Sequence, residues 1–154
     1  MSPAKDKPYY AVQADYEDDA HAWALEQAQL LRLERFNEAD LPNAIEEMES
    51  SCNEQRHALK SGYRVLIVHL LKWPFQPERR ARPWEMTLGR ERDNLESREE
   101  ESCSVRKDAQ HLIGKVYRRA ARQAARETWL PIDIFPAECP YPVERLRDYH
   151  WMPE

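Results

Sequence analysis

The sequence predicts an all-α fold: a bundle of about four main helices, with a long second helix and a C-terminal segment rich in proline and aromatic residues that wraps it. Three observations carry this. Hydrophobic residues make up 42% and charged residues 33% of 154 residues, the balance of helices with solvated outer faces. Only three glycines are present, too few for the hairpin turns of a sheet. Apolar residues recur every three to four or every seven positions over long stretches.

The size fits one domain with a real core, here residues 1–154. Residues 1–14 read as a loose arm that Tyr9, Tyr10 and Val12 can dock. The first helix is expected from Asp18 or Asp19, acids suited to a cap and first turn, to about Arg35. Trp23, Ala24, Leu30 and Leu31 mark its buried side.

The second helix has the clearest pattern. Asp40 can cap it, and Pro42 falls in its first turn, where a missing N–H costs little. Ile45, Cys52, Leu59, Leu66 and Trp73 repeat every seven residues. The companion seam, Met48, Gln55, Gly62 and His69, is eroded by polar residues and a glycine. Unbroken, such a helix would be about 48 Å long; Ser50-Ser51 and Ser61-Gly62 are the expected places for a bend or break. Pro74 ends it and Pro77 stiffens the linker. A third helix opens at Pro83 and runs to about Glu101 at the edge of the bundle, its stripe reduced to Trp84, Leu88 and Leu95. A fourth runs from Ser104 to about Thr128. Val105, Ala109, Leu112, Val116, Ala120 and Ala124 form its buried stripe, and Lys115, Arg119, Arg122 and Arg126 a basic one. The tail from Pro131 holds a short helix from Pro142 or Val143 to about Tyr149. Phe135, Tyr141, Tyr149 and Trp151 argue that it covers the bundle.

The net charge of −5 hides an asymmetry. Residues 1–55 carry 13 acids and 4 bases, net −9; residues 56–126 carry 17 bases and 9 acids, net +8; the remainder is net −4. Either acidic and basic helices face each other within the fold, or a basic surface serves an anionic partner. The near cancellation favours the first.

No window reaches the roughly 18 apolar residues of a membrane span, and the N-terminus has no apolar signal-peptide core. Cys52, Cys103 and Cys139 are odd in number and widely spaced, which suits neither a disulfide framework nor a zinc site. A reducing, cytoplasmic setting is expected, with no membrane partner.

The segment from His69 to Trp84, HLLKWPFQPERRARPW, concentrates cations and flat aromatic surface. Lys72, Arg79, Arg80, Arg82 and Trp84 are the candidate partner- or anion-binding residues. Guanidinium forks hold phosphates and carboxylates, and indoles stack on bases. The favoured alternative is structural, with tryptophans wedged between helices and arginines paired to Glu46, Glu47 or Glu49. His69 is a candidate polar core site: imidazole titrates near neutrality, but no Asp, Glu, Cys or second His lies within one helical turn, so no metal is expected.

The chain also contains Arg64…His69, Arg106…His111 and Arg145…His150, the spacing of the HEPN ribonuclease signature. With 17 Arg and 5 His, about two such matches arise by chance. Residues five apart on one helix also point roughly 140° apart. No glycine-rich phosphate loop, HExxH or nucleophile elbow occurs, so no catalytic residue and no cofactor is assigned.

The chain resembles a bacterial family catalogued as domain of unknown function 29. The resemblance begins at Asp15-Tyr16 and at Trp23 to Arg32. It continues through Asp40-Leu41, Asn43 and Glu46 to Ser50. It is densest at His69 to Trp73, Gln76 to Arg80 and Trp84, and closes with Phe135-Pro136, Cys139-Pro140 and Trp151. Pro74, Pro83 and Gly62 depart from the family pattern. It covers residues 15–153 and implies a compact α-helical domain with no established activity. The leading expectation is a non-enzymatic interaction or regulatory module with a protein partner, another copy included. The alternative is a nucleic-acid-binding protein or HEPN-like ribonuclease using the basic region 72–126.

Overall fold

In the computed structural model, which describes residues 13–154, every regular element is helical. The helices are α1 (Ala20–Arg32), α2 (Leu41–Lys72), α3 (Arg82–Glu101), α4 (Cys103–Lys107), α5 (Ala109–Thr128) and α6 (Val143–Arg147), with single 3₁₀ turns at Trp73–Phe75, Pro77–Arg79 and Ile132–Ile134. The expected docking residues Tyr9, Tyr10 and Val12 lie outside the described residues. The chain divides into two compact units, Met1–Asn53 and Glu54–Glu154, each described by itself.

In the first unit, Asp19 caps α1, its carboxylate accepting from the Ala22 N–H at 2.9 Å. The helix ends at Arg32, short of the expected Arg35, because Glu34 turns into the left-handed region at φ 58°. Its inner face differs from the apolar expectation. Trp23 and Leu30 are buried, but Ala24 is exposed, and the stripe is completed by Glu26 and Gln27. These polar residues are used: Glu26 accepts from the Ala14 N–H at 2.9 Å, and Gln27 Oε1 from the Asp40 N–H at 2.7 Å. Asp40 in turn starts α2. Its carbonyl accepts from Ala44 N–H, and its carboxylate takes the Asn43 side chain at 2.7 Å and the Trp23 indole N–H at 3.3 Å. The Tyr16 hydroxyl donates to Glu47. Along this stretch of α2, Leu41, Ile45, Met48 and Cys52 are exposed, so the first half of the seven-residue seam is not core.

The second unit is an all-α bundle in which the rest of α2, α3, α5 and the tail enclose one core. Leu59, Tyr63, Leu66, Ile67 and Leu70 of α2 meet Leu88 and Leu95 of α3 and Leu112, Ile113, Tyr117 and Ala120 of α5. Neither expected break in α2 exists; the helix is continuous from Leu41 to Lys72. Gly62 marks a close approach instead: a Cβ there would lie 2.8 Å from Leu95 Cδ2.

The third helix is not the thinly anchored edge its sequence suggests. Arg92 and Glu99 are buried in line with Leu88 and Leu95. Glu99 accepts from the Tyr63 hydroxyl at 2.5 Å and from the Arg147 guanidinium at 2.8 and 3.0 Å. Burial and the Glu99 hydrogen bond push the Tyr63 phenol well above its usual range. Burial alone would lower the Arg147 pKa, but its bonds to Glu99 outweigh that and raise it.

The expected fourth helix is interrupted at Asp108, where α4 ends and α5 begins. The Asp108 carboxylate turns to Arg56 of α2 at 2.6 Å rather than capping α5. The tail packs as expected. Phe135, Val143 and Leu146 are buried, with Tyr141 and Trp151 against the same core. Tyr117 and Tyr141 donate hydroxyl bonds to Pro136 O at 2.8 Å and Leu70 O at 3.3 Å. Tyr149 lies across Gly89, where a Cβ would meet its hydroxyl at 2.7 Å.

Candidate functional site

The Lys72–Trp84 segment turns its chemistry largely inward. Lys72 is buried, donates to Glu127 of α5 at 2.5 Å and stands 5.4 Å from the Trp84 ring centroid. Burial pushes the Glu127 carboxyl up, but hydrogen bonds from Lys72 and Gln123 outweigh it and hold the carboxyl below its usual range. Arg80 donates to Trp73 O at 3.0 Å and lies 5.2 Å over the Trp73 ring. The Trp73 and Trp84 rings meet edge to face at 5.5 Å, and the His69 ring approaches Trp84 at 6.1 Å. His69 is half-buried and bonds through Nδ1 to Val65 O, one turn back on its own helix, at 2.8 Å. Arg79 and Arg82 are exposed. The Lys72 and Arg80 partners lie in the second unit: a carboxylate of α5, a backbone carbonyl and an indole. Gln76 Oε1 and Trp84 Nε1 are buried there without a protein partner.

A different set of cations faces solvent together. The inner face of α5 is built from small and branched residues, Ala109, Leu112, Val116, Ala120, Ala121 and Ala124. That pattern fixes the outer face, so Arg119, Arg122 and Arg126 fall three and four residues apart on one side. Arg64 of α2 joins them, and with Gln123 and Ile132 they line an open cleft of about 580 Å³. Among the described residues none of these four guanidiniums has an ion pair or hydrogen bond. Other guanidiniums of the unit are matched: Arg56 to Asp108, Arg147 to Glu99, Arg98 to Ala58 O, and Arg92 to three carbonyls of the tail. The exposed Arg79, Arg82, Arg106 and Arg118 have no side-chain partner among the described residues but do not line this cleft. Like charges at this spacing oppose helix formation by a few tenths of a kcal/mol per pair. An anion in the cleft would reverse that sign.

One aromatic falls, in sequence, between residues that line the cleft. Trp129 ends α5 in the left-handed region, φ 59° and ψ 26°, and is 93% exposed. Arg126, three residues earlier, and Ile132, three residues later, both line the cleft. A helix-ending left-handed position favours glycine, because Cβ meets the following carbonyl. A bulky indole there, covered by nothing, is a strained and unpacked residue.

The sequence shows the α5 basic stripe but not its convergence with Arg64, which depends on how α2 packs against α5. Trp129 goes unremarked in the sequence because a single aromatic outside any periodic pattern gives no signal. The three Arg…His pairs do not form one site. Arg106 and His111 fall on either side of the Asp108 interruption, on different helices; Arg64 lines the cleft while His69 turns to Val65; Arg145 packs 6.0 Å from the Trp151 ring. Among the described residues no group of three or more His, Cys, Asp or Glu is placed to hold a metal ion. Among them, too, no helix is long and apolar enough to cross a membrane. Cys52, Cys103 and Cys139 are free thiols.

No curated protein and no solved structure matches the chain. The family model described as Domain of unknown function DUF29 matches residues 16–152, nearly the whole chain, so the chain belongs to that family.

Proposed function

We propose that this protein is a binding module that takes a nucleic acid in the α2/α5 arginine cleft. One observation carries the reading: among the described residues Arg64, Arg119, Arg122 and Arg126 converge on one recess without a carboxylate partner. Guanidinium forks suit phosphate oxygens, and a row of them along a helix suits a row of phosphates. The net charge of −5 does not oppose this, because the acidic excess belongs to the first unit: residues 54–154 carry 19 bases and 16 acids. The test is fluorescence anisotropy of a labelled 20-nucleotide RNA with the full chain at low salt. Arg119→Ala combined with Arg122→Ala lowers affinity without lowering thermal stability. Wild-type protein that does not bind at low salt would sink the reading, and so would an affinity loss fully explained by unfolding.

A second reading, a module for a protein partner or another copy of itself, is favoured by a separate observation. Leu41, Ile45, Met48 and Cys52 form an exposed stripe at helical spacing on α2, with Ile45 55% and Met48 62% exposed. Ile45→Asp with Met48→Asp abolishes any self-association seen by light scattering. Monomeric behaviour of the wild type at high concentration removes the self-association form of that reading.

A further inference from the structure

Resting on the reading of the cleft as a nucleic-acid surface, we propose that the strand it takes is single and that Trp129 is the platform on which one of its bases stacks. The five tryptophans divide sharply. Trp23, Trp73, Trp84 and Trp151 are buried or half-buried, and each meets another aromatic ring. Trp129 is exposed, its indole has no ring contact or hydrogen bond among the described residues, and it occupies a backbone conformation that disfavours it. Nothing within the fold explains an indole there. Its surroundings give a reason: Arg126 precedes it by one helical turn, Ile132 follows it, and both line the cleft.

A strand whose phosphates lie along Arg119, Arg122 and Arg126 reaches the end of α5, where a free π-face waits. Positive groove and aromatic platform together are the means by which proteins hold single strands without reading sequence. A duplex keeps its bases stacked on one another and offers the indole only an edge or a backbone. An acidic peptide would satisfy the arginines and leave the indole without a flat partner. A lipid surface presents a plane, whereas these arginines line a recess.

The experiment uses the full chain and three probes at low salt: a labelled 20-nucleotide poly-uridine RNA, an RNA duplex of equal length, and phosphatidylserine vesicles. Wild type binds the single strand more tightly than the duplex, and its tryptophan emission is quenched on binding. Trp129→Gly, which relieves the backbone and removes no packed contact, weakens single-strand binding by at least about fivefold with the salt dependence unchanged. Trp129→Phe keeps most of the affinity. Equal binding by wild type and Trp129→Gly, or equal affinity for single strand and duplex, overturns the stacking proposal and leaves the cleft reading standing. Failure of the wild type to bind either RNA overturns both. Binding to vesicles in preference to RNA, lost in Trp129→Gly, overturns both in favour of a lipid surface.

Discussion

Replacing Arg92 by methionine tests how the tail is held. Arg92 is 4% exposed, and its guanidinium donates to three main-chain carbonyls of the C-terminal segment: Leu146 O at 3.1 Å, Tyr149 O at 3.0 Å and Trp151 O at 2.7 Å. Burial lowers its pKa, with Asp148 and Tyr149 acting in the opposite sense, so the charge is costly to bury and is held by dipoles. Hydrogen bonds to a charged group contribute about 1.5–3 kcal/mol each, a gross loss of about 5–9 kcal/mol for three. Methionine returns part of this by removing the buried charge and keeping the apolar stem. The carbonyls of exposed Tyr149 and half-buried Trp151 can turn to water. The expected net loss is about 3–5 kcal/mol, which for a chain this size lowers Tm by about 10 °C. Urea unfolding followed by circular dichroism gives the free energy, and amide hydrogen exchange locates the loss. Amides of residues 143–152 lose protection first, while the α2 amides keep theirs relative to global stability. Arg92→Lys, a point donor that cannot serve three acceptors, falls between. A change below about 1 kcal/mol for Arg92→Met, with tail protection intact, would refute the reasoning.

Other perturbations follow from the same contacts. Trp129→Gly stabilises the fold by about 1 kcal/mol, seen as a rise in Tm; a fall shows that the indole is packed after all. The Glu127 carboxyl sits below its usual range, so its contribution is present above the unfolded-state value and fades as pH falls through the lower folded value. The pair is partly exposed, so the term stays below about 1 kcal/mol; Lys72→Met flattens the acid limb of a stability–pH curve, and an unchanged limb contradicts this. The Gln76 side chain makes a single 3.4 Å bond, to Glu127 O, and leaves Oε1 without a partner among the described residues, so Gln76→Met costs less than about 1 kcal/mol in urea melts; a larger loss means the oxygen is engaged.

Residues whose effect is local were readable from the sequence. Asp19 and Asp40 start their helices, Pro83 sits at the opening of α3, and Val143 opens α6, because caps and prolines act within one turn. The seven-residue seam correctly marks Leu59, Leu66 and Trp73 as core, but Ile45 and Cys52 carry the same pattern and are exposed. A period names a face and not what covers it. Buried Glu26, Gln27, Arg92 and Glu99 were hidden for the opposite reason. Each is polar by type and becomes core only through a partner at least 12 residues away. Asp108 falls inside a continuous helical pattern in the sequence, because its partner, Arg56, is 52 residues earlier. The candidate site shifted on the same grounds. The Lys72–Trp84 segment is conspicuous in sequence, yet Glu127 and the tryptophan rings absorb Lys72 and Arg80. Arg79 and Arg82 stay exposed without converging on a recess, whereas the quieter α5 stripe, joined by Arg64, lines one.

The salt dependence of single-strand RNA binding tests the cleft most directly. Each guanidinium that neutralises a phosphate contributes about −0.7 to the slope of log K against log salt. With four arginines the wild-type slope is about −3, and Arg119→Ala with Arg122→Ala makes it shallower by about 1.4, with circular dichroism unchanged. A slope that the double variant leaves unaltered would contradict the assignment, as would no binding at all at low salt.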